Sequence, residues 1–89
     1  MDPTIVVTIL SALQDKTTRE VFGRVFKGKS VRMGELIHSE EERPAVEGAL
    51  QVLEDKQLVK VKPSSLPDYN SYVITADGLA IARQMGLPA

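Results

Sequence analysis

Apolar residues recur at helical spacing through most of this chain and switch to strict alternation in one short region. Asp2-Pro3 starts a first helix, a capping acid followed by proline at the first helical position. Ile5, Val6, Ile9, Leu10 and Leu13 then fall on one stripe of 3.6-residue period, with Thr4, Thr8 and Ser11 opposite and Val7 at the edge. Thr17-Thr18-Arg19-Glu20 reads as a capping box, with Thr17 at the cap and Glu20 three residues on. It opens a second helix whose buried stripe is Val21, Phe22, Val25 and Phe26 and which Gly28 ends. Ser30-Val31-Arg32 reads as a short strand, and residues 33–38, with Leu36 and Ile37, as a short third helix. A fourth helix is expected from about Arg43 to Lys56, with Val46, Ala49, Leu50 and Leu53 inward. Pro44 fits its first turn, and Gln57 stands where a left-handed helix stop usually has glycine.

The alternation begins at Leu58, with Leu58, Lys60 and Lys62 on one side and Val59 and Val61 on the other. Ser71 to Thr75 makes a second strand, and "PSSLPDYN" between the two predicts a hairpin with a long tip. Thr75 caps a last helix from Ala76 to about Gly86, with Leu79, Ile81, Ala82 and Met85 on its apolar side. A tight turn joins the third and fourth helices, and a two-stranded wing follows them. The expectation is one domain over residues 1–89, mainly α with a small β wing. It is a winged helix-turn-helix with flanking N- and C-terminal helices.

Composition removes several functions. Eighty-nine residues suit one small domain, with 43% hydrophobic and 26% charged positions. The absence of cysteine excludes disulfides, thiolate metal sites and thiol nucleophiles, and fits a reducing, cytoplasmic setting. An acid at position 2 argues against an export signal, and no apolar run approaches the ~20 residues of a membrane span. Two Phe, two Tyr and no Trp make base stacking a poor general mechanism. Eleven basic and twelve acidic residues give a formal charge of −1, which leaves nucleic-acid binding to the local distribution of charge. "GKS" at 28–30 lacks the upstream glycine and strand of a phosphate loop. His38 is the only histidine, with no carboxylate pair beside it, so no catalysis, metal or cofactor is expected.

Three stretches resemble the winged-helix regulators of the ArsR type. "LSALQDKTTREVF" is similar to that family's entry into its second helix: Leu13, Asp15 and Thr17 match, while Lys16 and Thr18 replace the usual Pro and Arg. "GELI…VEGALQVLEDKQLVKVK" follows its helix-turn-helix and exit strand, and "YVITADG" fits the closing strand and helix start of many winged helices. The resemblance implies a DNA-binding regulator and a homodimer built from the helices that carry Ile5 to Leu13 and Leu79 to Met85.

The fourth helix departs from that pattern. Its outward face is Pro44, Gly48, Gln51 and Asp55, flanked by Ala45 and Val52 on one side and by Glu47 and Glu54 on the other. Only Gln51 has the bidentate reach for adenine. "SEEERP" places Glu40, Glu41 and Glu42 where a helix start would meet phosphate. Acids there favour the helix dipole and also repel a DNA backbone. Arg19, Arg24, Lys27, Lys29, Arg32, Lys56, Lys60 and Lys62 could form a basic surface or merely a solvated mixed one. The wing tip has no basic residue of its own. Two functions follow. The favoured one is a non-catalytic interaction module, regulatory in role, that meets a protein through Pro44, Ala45, Gly48 and Val52. The alternative is a DNA-binding transcriptional regulator using Arg32, Arg43, Gln51, Lys60 and Lys62.

Overall fold

The computed structural model describes residues 2–88. In chain order the elements are α1 (Pro3–Ala12), α2 (Lys16–Gly28), β1 (Ser30–Arg32), α3 (Met33–Leu36), α4 (Arg43–Asp55), β2 (Val59–Lys62), β3 (Ser71–Ile74) and α5 (Ala76–Met85). Single 3-10 turns occupy Glu40–Glu42 and Pro67–Tyr69. The molecule is thus mainly helical with a small antiparallel sheet of order β1-β3-β2. β1, to which the sequence assigned no partner, joins the two wing strands: Val31 pairs with Tyr72 on β3, and Val61 pairs with Tyr72 from the other side.

The core forms where the helical stripes and one sheet face meet. Phe22 and Val25 of α2, Leu50 and Leu53 of α4, Val59, Tyr72 and Ile81 are all buried in one cluster. All four expected inward residues of α4 are buried, as are Val21, Phe22 and Val25 of the α2 stripe, with Phe26 packed at the cluster's edge. α1 contributes less than its stripe promised. Ile9 and Leu13 are buried and Val6 and Leu10 pack at the edge, but Ile5 stays 53% exposed. Ile5 instead lines a cleft with Asp55, Lys56, Gln57 and Asp77.

Several element ends differ from the sequence reading for local reasons. α2 is capped by Asp15, not by Thr17. The Asp15 carboxylate accepts from the Thr18 backbone N–H at 3.0 Å and from its hydroxyl at 2.9 Å, so the helix starts two residues earlier. That arrangement also satisfies the side chain of Thr18, which is buried. Gly28 is the last residue of α2 rather than its left-handed stop, and Lys29 takes the positive φ of 67°. Glycine is needed at 28 for a different reason: a Cβ there would lie 2.5 Å from Val31 Cγ2 as the chain turns into β1. α3 stops at Leu36, leaving His38 in the connection that follows. Leu58 does not share a face with Lys60 and Lys62. It precedes β2, is buried, and donates its N–H to the Leu53 carbonyl at 2.9 Å through the turn where Gln57 has φ 61°. α5 ends at Met85, with Gly86 as its left-handed cap.

"YVITADG" has a packing explanation. Thr75 caps α5 by accepting from the Gly78 N–H at 2.9 Å, and its hydroxyl donates to the Gln57 carbonyl at 2.7 Å. The Thr75 N–H donates to the Leu58 carbonyl at 3.0 Å. Gly78 then lies directly against that carbonyl, where a Cβ would stand 2.2 Å from the oxygen. One threonine and one glycine thereby fasten α5 to the start of β2.

Candidate functional site

The segment from α3 to α4 gathers most of the residues singled out in the sequence. Glu40, Glu41 and Glu42 do not form the first turn of α4. They make a separate 3-10 turn ahead of it, and α4 begins at Arg43. This turn uses up donors that a helix start would otherwise offer an anion. The Arg43 N–H donates to the Glu40 carbonyl, and Pro44 has no N–H to give. The Glu42 carboxylate turns back to accept from the His38 N–H, and His38 Nε2 meets the Arg24 guanidinium from α2.

Arg43 is the central group. Its Nε and Nη2 donate to Glu40 at 2.7 and 3.0 Å, and its Nη1 and Nη2 donate to Asp68 at 2.8 and 3.2 Å. The guanidinium is bidentate to two carboxylates at once, the geometry arginine favours. Its bonds to Glu40 and then to Asp68 raise its own pKa, while the Arg43 hydrogen bonds hold both carboxylates below their usual range. Arg43 is thus engaged, and its side chain is only 25% exposed.

Asp68 belongs to the 3-10 turn at the hairpin tip, so this clasp ties α4 to the loop between β2 and β3. Two further contacts hold the same loop down. The Met33 N–H donates to the Asn70 carbonyl at 2.9 Å, and Gly34 lies against the Asp68 backbone. Asn70 closes the loop on itself by accepting from the Ser64 N–H at 2.7 Å. The tip that carries no cation of its own is met by two from elsewhere: Arg43 from α4, and Arg32 from β1, whose guanidinium stands 5.4 Å from the Tyr69 ring centroid. Neither contact has a local sequence signal, because the partners lie 25 and 37 positions apart.

On α4 itself, Pro44, Ala45, Glu47 and Gly48 are exposed and Val52 is half-buried. Gln51 is exposed, but its amide donates to Asp55 at 2.8 Å along the helix. The candidate protein-contact residues therefore share one small, apolar, open face. The candidate DNA residues divide into two sets. Arg43 and Gln51 are each held by carboxylates, whereas Arg32, Lys60 and Lys62 lie on the sheet. The remaining cations scatter: Arg24 faces His38, and Lys56 lines the cleft beside α1 with Asp55 and Asp77. Among the described residues, no three His, Asp or Glu side chains gather as a metal site would require. No protein-family model matches the chain, and comparison with curated proteins and with solved structures gave no match.

Proposed function

We propose that this chain is a non-catalytic winged-helix module of ArsR-like kind, regulatory in role, whose α4 meets a protein rather than the DNA major groove. The sheet order β1-β3-β2, with α3 and α4 inserted between β1 and β2, supports the winged-helix reading. The observation that carries the functional reading is the state of the α4 N-terminus. Its cation is chelated by Glu40 and Asp68, three glutamates precede it, and its first backbone donors are taken or missing. A phosphate approaching there would meet carboxylates at short range and few partners to offset them. The hairpin tip, held to α3 and α4, is also not extended for a neighbouring groove. The face that remains, Pro44, Ala45, Gly48 and Val52, allows close approach of another backbone.

The resemblance to dimeric regulators finds support in α1, where Ile5 and Val7 are 53% and 64% exposed. A homodimer through α1 and α5 would cover them, and sedimentation equilibrium reads it directly. The α4 reading is tested by titrating ¹⁵N-labelled protein with a mixed-sequence DNA duplex at low salt. The expected result is no amide shift at Arg43, Glu47 or Gln51. A photo-crosslinking residue at Ala45 should meanwhile give a discrete protein adduct in cells that Gly48→Arg abolishes. Duplex-dependent shifts along α4, or an adduct indifferent to Gly48→Arg, would overturn the reading.

A further inference from the structure

The outer face of the sheet has a composition unlike the rest of the chain. Residues directly opposite one another on paired strands share a face. The register places Arg32, Ser71 and Lys62 in one row and Ser30, Val73 and Lys60 in the next. The inner rows, Val31, Tyr72 and Val61 with Val59 and Ile74, point to the core. The outer rows therefore present three cations, two hydroxyls and one valine. No Asp or Glu occurs in any of the three strands, although the chain has twelve. Arg32, Lys60 and Lys62 are exposed, and the ion pairs among the described residues are those of Arg43 alone. Two acids near Arg32 have other partners: Glu35 accepts from the Arg32 backbone N–H at 3.3 Å, and Asp68 is held by Arg43.

Spacing and relief make this face more than a scatter of lysines. Strands lie about 4.8 Å apart, so Arg32 and Lys62 are separated by ~10 Å across β3, and Lys60 and Lys62 by ~7 Å along β2. Between the lysines is a shallow depression of about 190 Å³ lined by Lys60, Lys62, Val73, Ile74 and Thr75. At the hairpin end stands Tyr69, 53% exposed, with Arg32 beside its ring. The chain has few aromatics, yet one of its two tyrosines lies open beside this cationic sheet face.

We propose that the outer sheet face binds a single strand of nucleic acid, with Arg32, Lys60 and Lys62 on its phosphates and Val73 and Tyr69 against its bases. Charge complementarity selects a polyanion. The apolar centre and the open ring select a strand whose bases are unstacked, because the bases of a duplex cannot turn onto a flat surface. The phosphate-and-base chemistry is common to DNA and RNA strands. The site uses no residue of the α4 face and stands or falls separately from it.

The test is a titration of ¹⁵N-labelled protein with a mixed-sequence 12-nucleotide DNA strand, paired with fluorescence anisotropy across a salt series. Amide shifts are expected at Ser30 to Arg32, Lys60 to Lys62, Tyr69 and Ser71 to Val73. Three phosphate contacts predict a log–log salt slope of about −2, at about −0.7 per contact on a single strand. Lys60→Gln with Lys62→Gln should reduce the slope to about −0.7 and weaken binding on the order of 10-fold at low salt. Both lysines are exposed, and the variant's own spectrum verifies that it is folded. An RNA strand of the same sequence giving the same footprint supports the proposal equally. It is overturned by absence of shifts on this face, by a slope unchanged in the double variant, or by equal binding of a duplex or a polyglutamate peptide. Shifts at Glu47 and Gln51 in the same spectra report on α4 and leave this site to be judged by its own residues.

Discussion

Gly78→Ala should destabilise the protein, although it replaces glycine by a better helix former. At position 78 an added Cβ would stand 2.2 Å from the Leu58 carbonyl oxygen and 2.7 Å from Ile74 Cγ1. The oxygen has little room to yield, since it is main chain and accepts from the Thr75 N–H at 3.0 Å. Overpacking against fixed backbone belongs at the upper end of the usual range, about 3 kcal/mol. Helix propensity returns at most about 1 kcal/mol. The net loss of about 2 kcal/mol corresponds to a Tm lower by ~8–16 °C for a domain of this size. Gly48→Ala supplies the opposite sign, because nothing lies within 4 Å of its would-be Cβ on the exposed side of α4. It should raise stability by up to about 1 kcal/mol. Differential scanning calorimetry of the two variants reads both. A Tm for Gly78→Ala equal to or above wild type would refute the contact between α5 and the start of β2, and with it the explanation of the Thr75 and Gly78 positions.

Other perturbations follow from the same contacts. Asp68 and Glu40 have folded pKa values depressed by the Arg43 hydrogen bonds, so their contribution is complete above the ordinary values of 3.8 and 4.5 and is lost as pH falls through the lower folded values. Carboxyl NMR titration should place Asp68 below 3.8 in the wild type and move it upward in Arg43→Leu, with that variant also losing part of the acid sensitivity of unfolding. Thr75→Val removes the α5 cap and should cost about 0.5–2 kcal/mol in urea unfolding. Leu50→Ala empties a buried position between α4 and the core and should cost about 2–5 kcal/mol by the same measurement.

The sequence by itself determined the buried stripes of α2 and α4 and the alternation of β2. Val46, Ala49, Leu50 and Leu53 had to be buried because their period matches a helix, and Val59 and Val61 had to face the core together because a strand alternates. It also marked the Thr75 cap and the strained turn at Gln57, since both follow from residues within three or four positions. Local choices between near-equivalent signals were less secure. The capping-box pattern pointed to Thr17, whereas the Asp15 carboxylate caps the helix and partners the buried Thr18. Ile5 looked buried because periodicity reports a face, not how far the core extends along it. The functional surfaces were decided by tertiary structure. "SEEERP" raised the question of glutamates at a helix start, but only the fold brought Asp68 to Arg43 and closed that end of α4. Likewise Arg32 and Lys60 or Lys62 lie about thirty positions apart, and nothing local indicates that β3 would pair between their strands and set them on one face. Period and capping are short-range steric and hydrogen-bonding effects written in neighbouring residues. A charged surface is a sum over strands and loops that only the folded chain brings together.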